Sequence, residues 1–339
     1  MTDRLRASFD RMKTAGPQVV SLTAESPVRF APLRPDGALP VLATPAMAGI
    51  DLRGWADGHR EELERQLLSS GGLLFRGFGI TSAAEFEAFC AAVAPELMGY
   101  GERSTPRREV GGKVYTSTEY PADQHIPMHN ELSYASSWPR KIWFYCHLPA
   151  AQGGETPIAD SRQVYRAIDP PVRDRFVNRG VMYVRNFGEG LGLTWQEVFQ
   201  TSDPAAVEEY CRNADIELEW RSDGRLQTRA VRPAAVRHPV TGEDIWFNQA
   251  HLHHLSALPE ASQQALLEVV SPDELPFNTF YGDGTEIEAE ALAEVRRAYA
   301  AAAVRFGWER GDILMLDNLL VAHGRAPYSG ERKILVAMA

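Results

Sequence analysis

The triplet His129-Asn130-Glu131 places an imidazole and a carboxylate two positions apart in the chain. In an extended strand, residues i and i+2 point to the same side, so both groups can face the interior of a β-barrel. A second segment, Leu316-Asp317-Asn318-Leu319-Leu320-Val321-Ala322-His323, ends in a histidine that a paired strand can bring to the same place. Two imidazoles and one carboxylate bind Fe(II) and leave positions open for a cosubstrate and O2. The two segments therefore predict a barrel with a metal site at His129, Glu131 and His323.

Around these segments the chain alternates short apolar runs with turn residues. Candidate strands lie at 141–147, 181–186, 226–232, 245–248, 312–316 and 333–338, separated by Pro, Gly, Asp and Asn. Helical patterns interrupt them near 195–212 and 286–306. The expected fold is mainly β with flanking helices and a jelly-roll or related barrel core.

The N-terminal part up to Pro45 is rich in Pro, Arg and Ala and predicts an arm with at most one short strand. A helix is expected over 53–69, ended by Gly71-Gly72, and an apolar strand over 73–78. Thr81 and Ser82 then offer a cap for a helix that runs to about Val93. No repeat or composition break marks a second domain, so we expect one domain over 1–339, with its core from about 70.

The composition excludes several classes of protein. The chain has 339 residues, 44% hydrophobic and 24% charged, as in ordinary globular proteins. Its net charge of -10 argues against nucleic acid or an anionic membrane as partner, because both attract positive surfaces. Three widely spaced cysteines favour a reducing compartment over a disulfide framework. The charged N-terminus and the lack of long apolar stretches predict a cytoplasmic protein. The sequence leaves the oligomeric state open.

A second group of residues suits the cosubstrate 2-oxoglutarate. If this molecule chelates the metal through its keto acid end, its distal carboxylate lies in a half-buried pocket and needs a partner. A guanidinium offers a planar two-point contact and a hydroxyl offers one further donor. Arg332, which enters the last predicted strand, and Thr156, in Gly153-Gly154-Glu155-Thr156, suit these roles. Arg325 is a further candidate for the cosubstrate or a substrate carboxylate, or else a surface arginine on a turn.

At this point the sequence resembles the taurine dioxygenase-like oxygenases, and within them the branch beside peptide-synthetase pathways that hydroxylates amino acids. The resemblance runs from Leu74-Phe75-Arg76-Gly77-Phe78 to Arg332. It includes the His129 and Glu131 pair, the Gly-Gly-Glu-Thr at 153–156, the segment from His238 to Asn248, and the closing segment from His323. It implies a double-stranded β-helix (jelly roll, cupin-like) core, with Fe(II), 2-oxoglutarate and O2, and release of succinate and CO2.

The acid of the triplet departs from the pattern of many relatives. Glu131 stands where many of them carry Asp, although amino-acid hydroxylases of the family accept Glu. Halogenases of the family carry a small residue here, which opens a coordination position for chloride. Glu131 fills that position, so halogenation is disfavoured.

Four residues are candidates for substrate contacts. Glu119 lies in a predicted lid and can pair with a cationic group or remain an exposed acid. Asn248 can orient substrate or cap a turn. His251 and His253, in Ala250-His251-Leu252-His253-His254, would give the metal too many ligands, so pocket lining or a polar loop is the preferred interpretation.

The predicted reaction is hydroxylation of an unactivated C–H bond in an amino acid or amino-acid-derived molecule, free or tethered to a carrier protein, in natural product biosynthesis. Desaturation, cyclisation or another oxidative rearrangement are alternatives, because the outcome depends on sub-ångström positioning. From other classes, a Zn or Mn barrel hydrolase or isomerase can use the same ligands, but it would not need Arg332 or Thr156. A further alternative is a non-catalytic barrel that binds a small ligand. Its ligand binding would not depend on a metal.

Overall fold

The structure is a computed structural model that describes residues 26–35, 37–99, 109–117, 120–188, 192–222 and 224–339. Its strands, within these ranges, are β1 (Val28–Arg34), β2 (Gly37–Pro45), β3 (Gly72–Phe75), β4 (Glu109–Gly111), β5 (Val114–Thr116), β6 (Ile126–His129), β7 (Lys141–Leu148), β8 (Gln152–Gly153), β9 (Ile158–Asp160), β10 (Val181–Phe187), β11 (Glu217–Trp220), β12 (Leu226–Arg232), β13 (Ala235–Arg237), β14 (Asp244–Trp246), β15 (Phe277–Tyr281), β16 (Ala303–Val304), β17 (Ile313–Asp317), β18 (Val321–Arg325), β19 (Tyr328–Ser329) and β20 (Lys333–Met338).

The helices of the same ranges flank these strands. They are α1 (Leu52–Gly58), α2 (Arg60–Ser70), α3 (Ala83–Val93), α4 (Ser161–Ala167), α5 (Pro170–Arg179), α6 (Trp195–Phe199), α7 (Pro204–Asn213), α8 (Ala250–His253), α9 (Glu260–Leu267) and α10 (Ala289–Ala302). None of them is both long enough and apolar enough to cross a membrane.

Two sheets form the core of the fold. The larger has eight strands in the order β1-β2-β3-β17-β7-β20-β5-β4, and the smaller has four in the order β16-β9-β18-β6. Apolar side chains from both sheets meet in one cluster, including Phe144 and Ile334 from the larger sheet and Ile158 and Val321 from the smaller. This pair of facing sheets is the predicted double-stranded β-helix core.

A second layer covers the outer face of the smaller sheet. Met128, Ala159 and Ala322 of that sheet share a buried cluster with Tyr183 of β10 and Leu292 of α10. The strands β11-β12-β10-β15 form a further four-stranded sheet. All of β18 and Met128 of β6 are therefore buried, which restricts the side chains that this strand pair carries.

Several element boundaries were predicted correctly. The strands at 226–232 and 333–338 agree with β12 and β20, and Gly71 ends α2 in the left-handed conformation, with φ 82°. The expected cap of α3 is confirmed, since the Ser82 hydroxyl accepts from the Glu85 amide and Glu85 reaches back to Ser82. The segment that leads into the core therefore follows local sequence rules.

Other predicted elements were wrong in detail. The N-terminal arm is not an arm after Pro27, because β1 and β2 form a hairpin and β2 joins the larger sheet beside β3. Proline hid this pattern, yet Pro32 lies on an edge strand, where a missing N–H is tolerated. The helix over 53–69 divides at His59, and the one over 195–212 divides before Pro204, which begins α7. The strand over 73–78 ends at Phe75.

Candidate metal and cosubstrate site

The two histidines of the predicted metal site face each other across the β6 and β18 strand pair. His129 and His323 are direct partners in this antiparallel register, and their ring centroids lie 4.7 Å apart. The Nε2 atom of His323 lies 3.7 Å from a carboxylate oxygen of Glu131. One donor atom from each of the three side chains can be chosen so that all lie within 4.8 Å of one another. The structure thus brings the three predicted ligands together.

The local structure around Glu131 differs from the expectation of one continuous strand. β6 ends at His129, and Glu131 begins a turn in which Leu132 has a φ of 55°. The Asn318 side chain accepts from the Glu131 amide at 2.7 Å and donates to the Glu131 carbonyl at 3.0 Å. The carboxylate therefore reaches the site because a buried amide holds its backbone, and not through strand alternation.

The hydrogen bond of His129 and the burial of His323 suit metal binding. The Nδ1 atom of His129 donates to the carbonyl of Pro127 at 2.8 Å, which leaves Nε2 unprotonated in the neutral ring. His323 is buried against Phe144, with ring centroids 4.8 Å apart. Two imidazoles and one carboxylate that converge in this way match the donor set of non-haem Fe(II) sites, with coordination positions left for other ligands.

A cavity adjoins the two histidines. Ile126, Phe144, Ile334 and Val336 give it apolar walls, while Thr156 and Arg332 supply polar groups. The Thr156 hydroxyl accepts from the Trp308 indole at 3.2 Å, which orients its own hydrogen away from that ring. Apolar walls with a few polar groups that point to one place are the lining expected of a pocket for a small acid.

Arg332 lies at the end of this cavity in a setting that favours an anion. Its Nε donates to the Gly154 carbonyl at 2.9 Å, and no described residue accepts from its two terminal nitrogens. Burial, followed by the nearby charge of Arg325, lowers the pKa of the Arg332 guanidinium to about 10. A bound carboxylate would offset both costs, since a desolvated cation is stabilised by a paired charge.

The surface alternative for Arg325 is wrong, and its role in binding a carboxylate stays a prediction. It is buried and therefore not a surface arginine, and its terminal nitrogens donate to the carbonyls of Tyr120, Pro121 and Gln124. It also lines the cavity beside Arg332. These bonds hold the 120–124 segment next to the site, while the buried Nε atom of Arg325 has no hydrogen-bond partner among the described residues and is left as a donor for an anion.

The predicted substrate residues have different outcomes. Asn248 is fully buried, donates to the Ala234 carbonyl and accepts from the Ala250 amide, so it caps a turn and does not orient substrate. His251 bonds the Met128 carbonyl at 2.9 Å, within the core. His253 bonds Gln249 and stacks on Phe277 with centroids 3.8 Å apart. Glu119 lies outside the described residues.

Two residues near the site were missed by sequence reasoning. Asn318 lies within the segment that ends in His323. Its side-chain amide holds the backbone of Glu131, which is almost two hundred positions away in the sequence. Arg185 of β10 is buried beside the rings of Tyr134 and Phe277, with its guanidinium carbon 5.9 and 5.1 Å from their centroids. A charged residue in an otherwise apolar strand pattern was the available clue for Arg185.

Comparison with known proteins gives matches over most of the chain. A family model described as "Taurine catabolism dioxygenase TauD, TfdA family" matches residues 29–338. The dapdiamide synthesis protein DdaC of Enterobacter agglomerans is 44% identical over 276 residues, which are 81% of this chain and 84% of that protein. A clavaminate synthase-like protein of Arabidopsis thaliana is 31% identical over 286 residues, or 81% of this chain and 83% of that protein.

Solved structures share the fold. PvcB from Pseudomonas aeruginosa has a TM-score of 0.57 and 18% sequence identity, covering 95% of this chain and 94% of that one. PvcB is described as an Fe, alpha-ketoglutarate dependent oxygenase from an isonitrile synthetic pathway. AAD-2, solved with Mn(II) and N-oxalylglycine, has a TM-score of 0.51 and 13% identity, covering 92% and 96% of the two chains.

Proposed function

The chain belongs to the TauD, TfdA family of dioxygenases, and from this premise we propose the residues and the substrate class of its reaction. It is a non-haem iron dioxygenase that uses 2-oxoglutarate and O2. His129, Glu131 and His323 hold Fe(II), while Arg332 and Thr156 bind the distal carboxylate of 2-oxoglutarate. The observation that carries this proposal is the convergence of the three donor atoms beside a cavity that ends in Arg332.

The residues around the proposed iron site have different roles in the reaction. Bound iron supplies the oxidation of a substrate C–H bond by O2, coupled to decarboxylation of 2-oxoglutarate to succinate and CO2. Arg332 fixes one end of the cosubstrate by charge, and Thr156 donates a hydrogen bond to the same carboxylate. Phe144, Ile334 and Val336 line the cavity and keep water from the bound acid.

The substrate is an amino acid or an amino-acid-derived molecule in specialised metabolism, and hydroxylation is the expected outcome. The names of the relatives support this class, since DdaC belongs to dapdiamide synthesis and PvcB to an isonitrile pathway. A substrate tethered to a carrier protein fits the same class and is tested alongside free amino acids.

Two further proposals concern the whole chain. A single oxygenase domain is supported by the family model, which spans 29–338 without a break. A cytoplasmic location is supported by the three cysteines, which are free and buried.

Anaerobic titration with Fe(II) and 2-oxoglutarate tests the assignment. We expect a visible charge-transfer band in the wild-type protein and no band in His129→Ala. Succinate release from a panel of amino acids, free and carrier-bound, then identifies the substrate. Absence of the band in folded wild-type protein would reject the assignment and favour a hydrolase, an isomerase or a binding protein. Desaturated or cyclised products would support the same metal ligands but would show that the reaction is not hydroxylation.

A further inference from the structure

We propose that Asn318 and Gln249 act as positioning residues that hold the Asn130-Glu131 backbone from two sides and so aim the Glu131 carboxylate at the metal. We call this pair of side chains the amide clamp. The proposal rests on the metal role of Glu131 proposed above. It adds the reason why a carboxylate located beyond the end of β6 has a defined direction.

Asn318 forms the first side of the amide clamp. Its Oδ1 accepts from the Glu131 amide at 2.7 Å, and its Nδ2 donates to the carbonyls of Glu131 at 3.0 Å and Pro139 at 2.9 Å. The Asn130 side chain returns a hydrogen bond to the Asn318 carbonyl at 2.6 Å. Because Asn318 and Asn130 are fully buried, no water competes for these bonds.

Gln249 forms the second side of the amide clamp. Its Nε2 donates to the carbonyl of Asn130, the residue between two ligands, at 2.8 Å. Its Oε1 is 2.9 Å from the Nε2 of His253, and its backbone amide donates to the Tyr183 hydroxyl at 2.8 Å. Burial keeps the pKa of His253 well below its ordinary value, so the ring is neutral and donates to Gln249 through Nε2. Gln249 thus connects the metal loop to β10 and to the His253 ring.

The backbone of this loop needs such support. The strand ladder of β6 stops at His129, and Leu132 adopts a left-handed conformation with φ 55°, which side chains other than glycine rarely take. Peptide groups without ladder partners in a buried loop require side-chain partners. A Glu131 that rotates would move its carboxylate away from the 3.7 Å approach to the Nε2 atom of His323. The amide clamp would therefore maintain the convergence of the donor atoms, and with it the affinity for the metal.

The test compares Gln249→Leu and Asn318→Asp with Asn278→Leu and Asn278→Asp. Asn278 is a matched control, because its buried amide also bridges backbone groups, Leu255 and Pro272, but does not contact the metal loop. The readouts are the Fe(II) dissociation constant and the anaerobic charge-transfer band with 2-oxoglutarate. Outer-shell partners are worth about 10- to 100-fold in metal affinity, so we expect at least a roughly tenfold loss in the clamp variants and a shifted or weakened band.

Thermal unfolding of each variant separates positioning from general loss of fold. If Asn318→Asp does not fold, because Asn318 also holds Pro139, the Gln249→Leu variant decides the question. Clamp variants that bind Fe(II) as tightly as the Asn278 variants, with an unchanged band, would overturn the proposal. If the wild-type protein itself forms no band, the metal assignment fails and not the amide clamp alone.

Discussion

Two groups of histidines in this molecule have opposite characters. His129 and His323 lie on neighbouring strands and face each other with Glu131 beside them. The second group lies on α8 and directly after it and consists of His251, His253 and His254. These three are closer together in sequence, so from the sequence alone they resemble a metal cluster more than the first group does. In the structure, one ring nitrogen of each of these three histidines bonds a protein partner. A metal site is thus identified by convergence of donor atoms and not by local density of histidine.

Burial explains the behaviour of the α8 histidines. Desolvation lowers the pKa of His251 to about 3 and that of His254 to about 4. His251 bonds the Met128 carbonyl, His253 bonds Gln249, and His254 accepts from the Ser256 amide. These rings are neutral spacers that tie α8 to β6 and to the turn that follows. They support the strand that carries His129 without binding the metal themselves.

The strongest test of this contrast is to remove one histidine from each group. His323→Ala should lower Fe(II) affinity by more than about a hundredfold, since the loss of a direct ligand exceeds the effect of an outer-shell partner. His254→Asn should retain Fe(II) binding, because an asparagine oxygen can accept the Ser256 amide. Both are measured by Fe(II) titration of the purified apoprotein. Comparable losses in the two folded variants would remove the distinction between the groups.

Arg332 and Arg325 allow a second comparison, within the cosubstrate pocket. Arg332→Gln should raise the half-saturating concentration of 2-oxoglutarate by about 10- to 100-fold, since a charge-assisted hydrogen bond contributes about 1.5–3 kcal/mol. Fe(II) affinity without cosubstrate should not change. Titration of the charge-transfer band with 2-oxoglutarate measures the shift. Arg332→Lys keeps the charge and should lose less, and an unaltered Arg332→Gln titration would contradict the assignment.

The sequence was sufficient to predict the fold class and the three residues that converge at the candidate metal site. Both predictions depend on motifs and on alternation of residue types that can be recognised in short segments. Alternation with turn residues predicted β12 and β20 to the residue. His129 and His323 were found because barrel strands bring distant side chains together. The strand geometry offered for Glu131 was nevertheless wrong, since the loop is held by Asn318, across a long sequence separation.

The sequence could not predict whether the hydrogen-bonding groups of a polar side chain are already occupied by other parts of the protein. Asn248 had the right residue type for binding, but backbone groups already satisfy both ends of its amide in the fold. No local pattern shows whether an amide or a guanidinium will meet protein carbonyls or a ligand. The α8 histidines show the same effect, because their burial follows from packing against β15 and α10.

The third test concerns the structural character of His251. Its folded-state pKa of about 3 lies below the ordinary value of 6.5, so between these values the unfolded chain binds a proton that the folded protein does not. Wild-type stability should therefore fall as the pH drops from about 6.5. His251→Phe lacks this site, and its slope should be shallower by up to about 1.4 kcal/mol per pH unit. Urea unfolding between pH 7 and 4.5 measures both slopes, and equal slopes would show that the ring is not buried neutral.

The smallest expected effect concerns Thr156 and sharpens the contrast between charge and hydrogen bonding in the pocket. Thr156→Val removes one neutral donor to the cosubstrate and leaves the Trp308 indole without its acceptor. A hydrogen bond to a charged group contributes about 1.5–3 kcal/mol, and Thr156 supplies one bond where Arg332 supplies two and a charge, so 2-oxoglutarate should bind roughly tenfold more weakly. Thr156→Ser keeps the hydroxyl and should titrate like the wild type. If Thr156→Val instead titrates like the wild type, the hydroxyl does not contribute to binding, and Thr156 acts through packing alone.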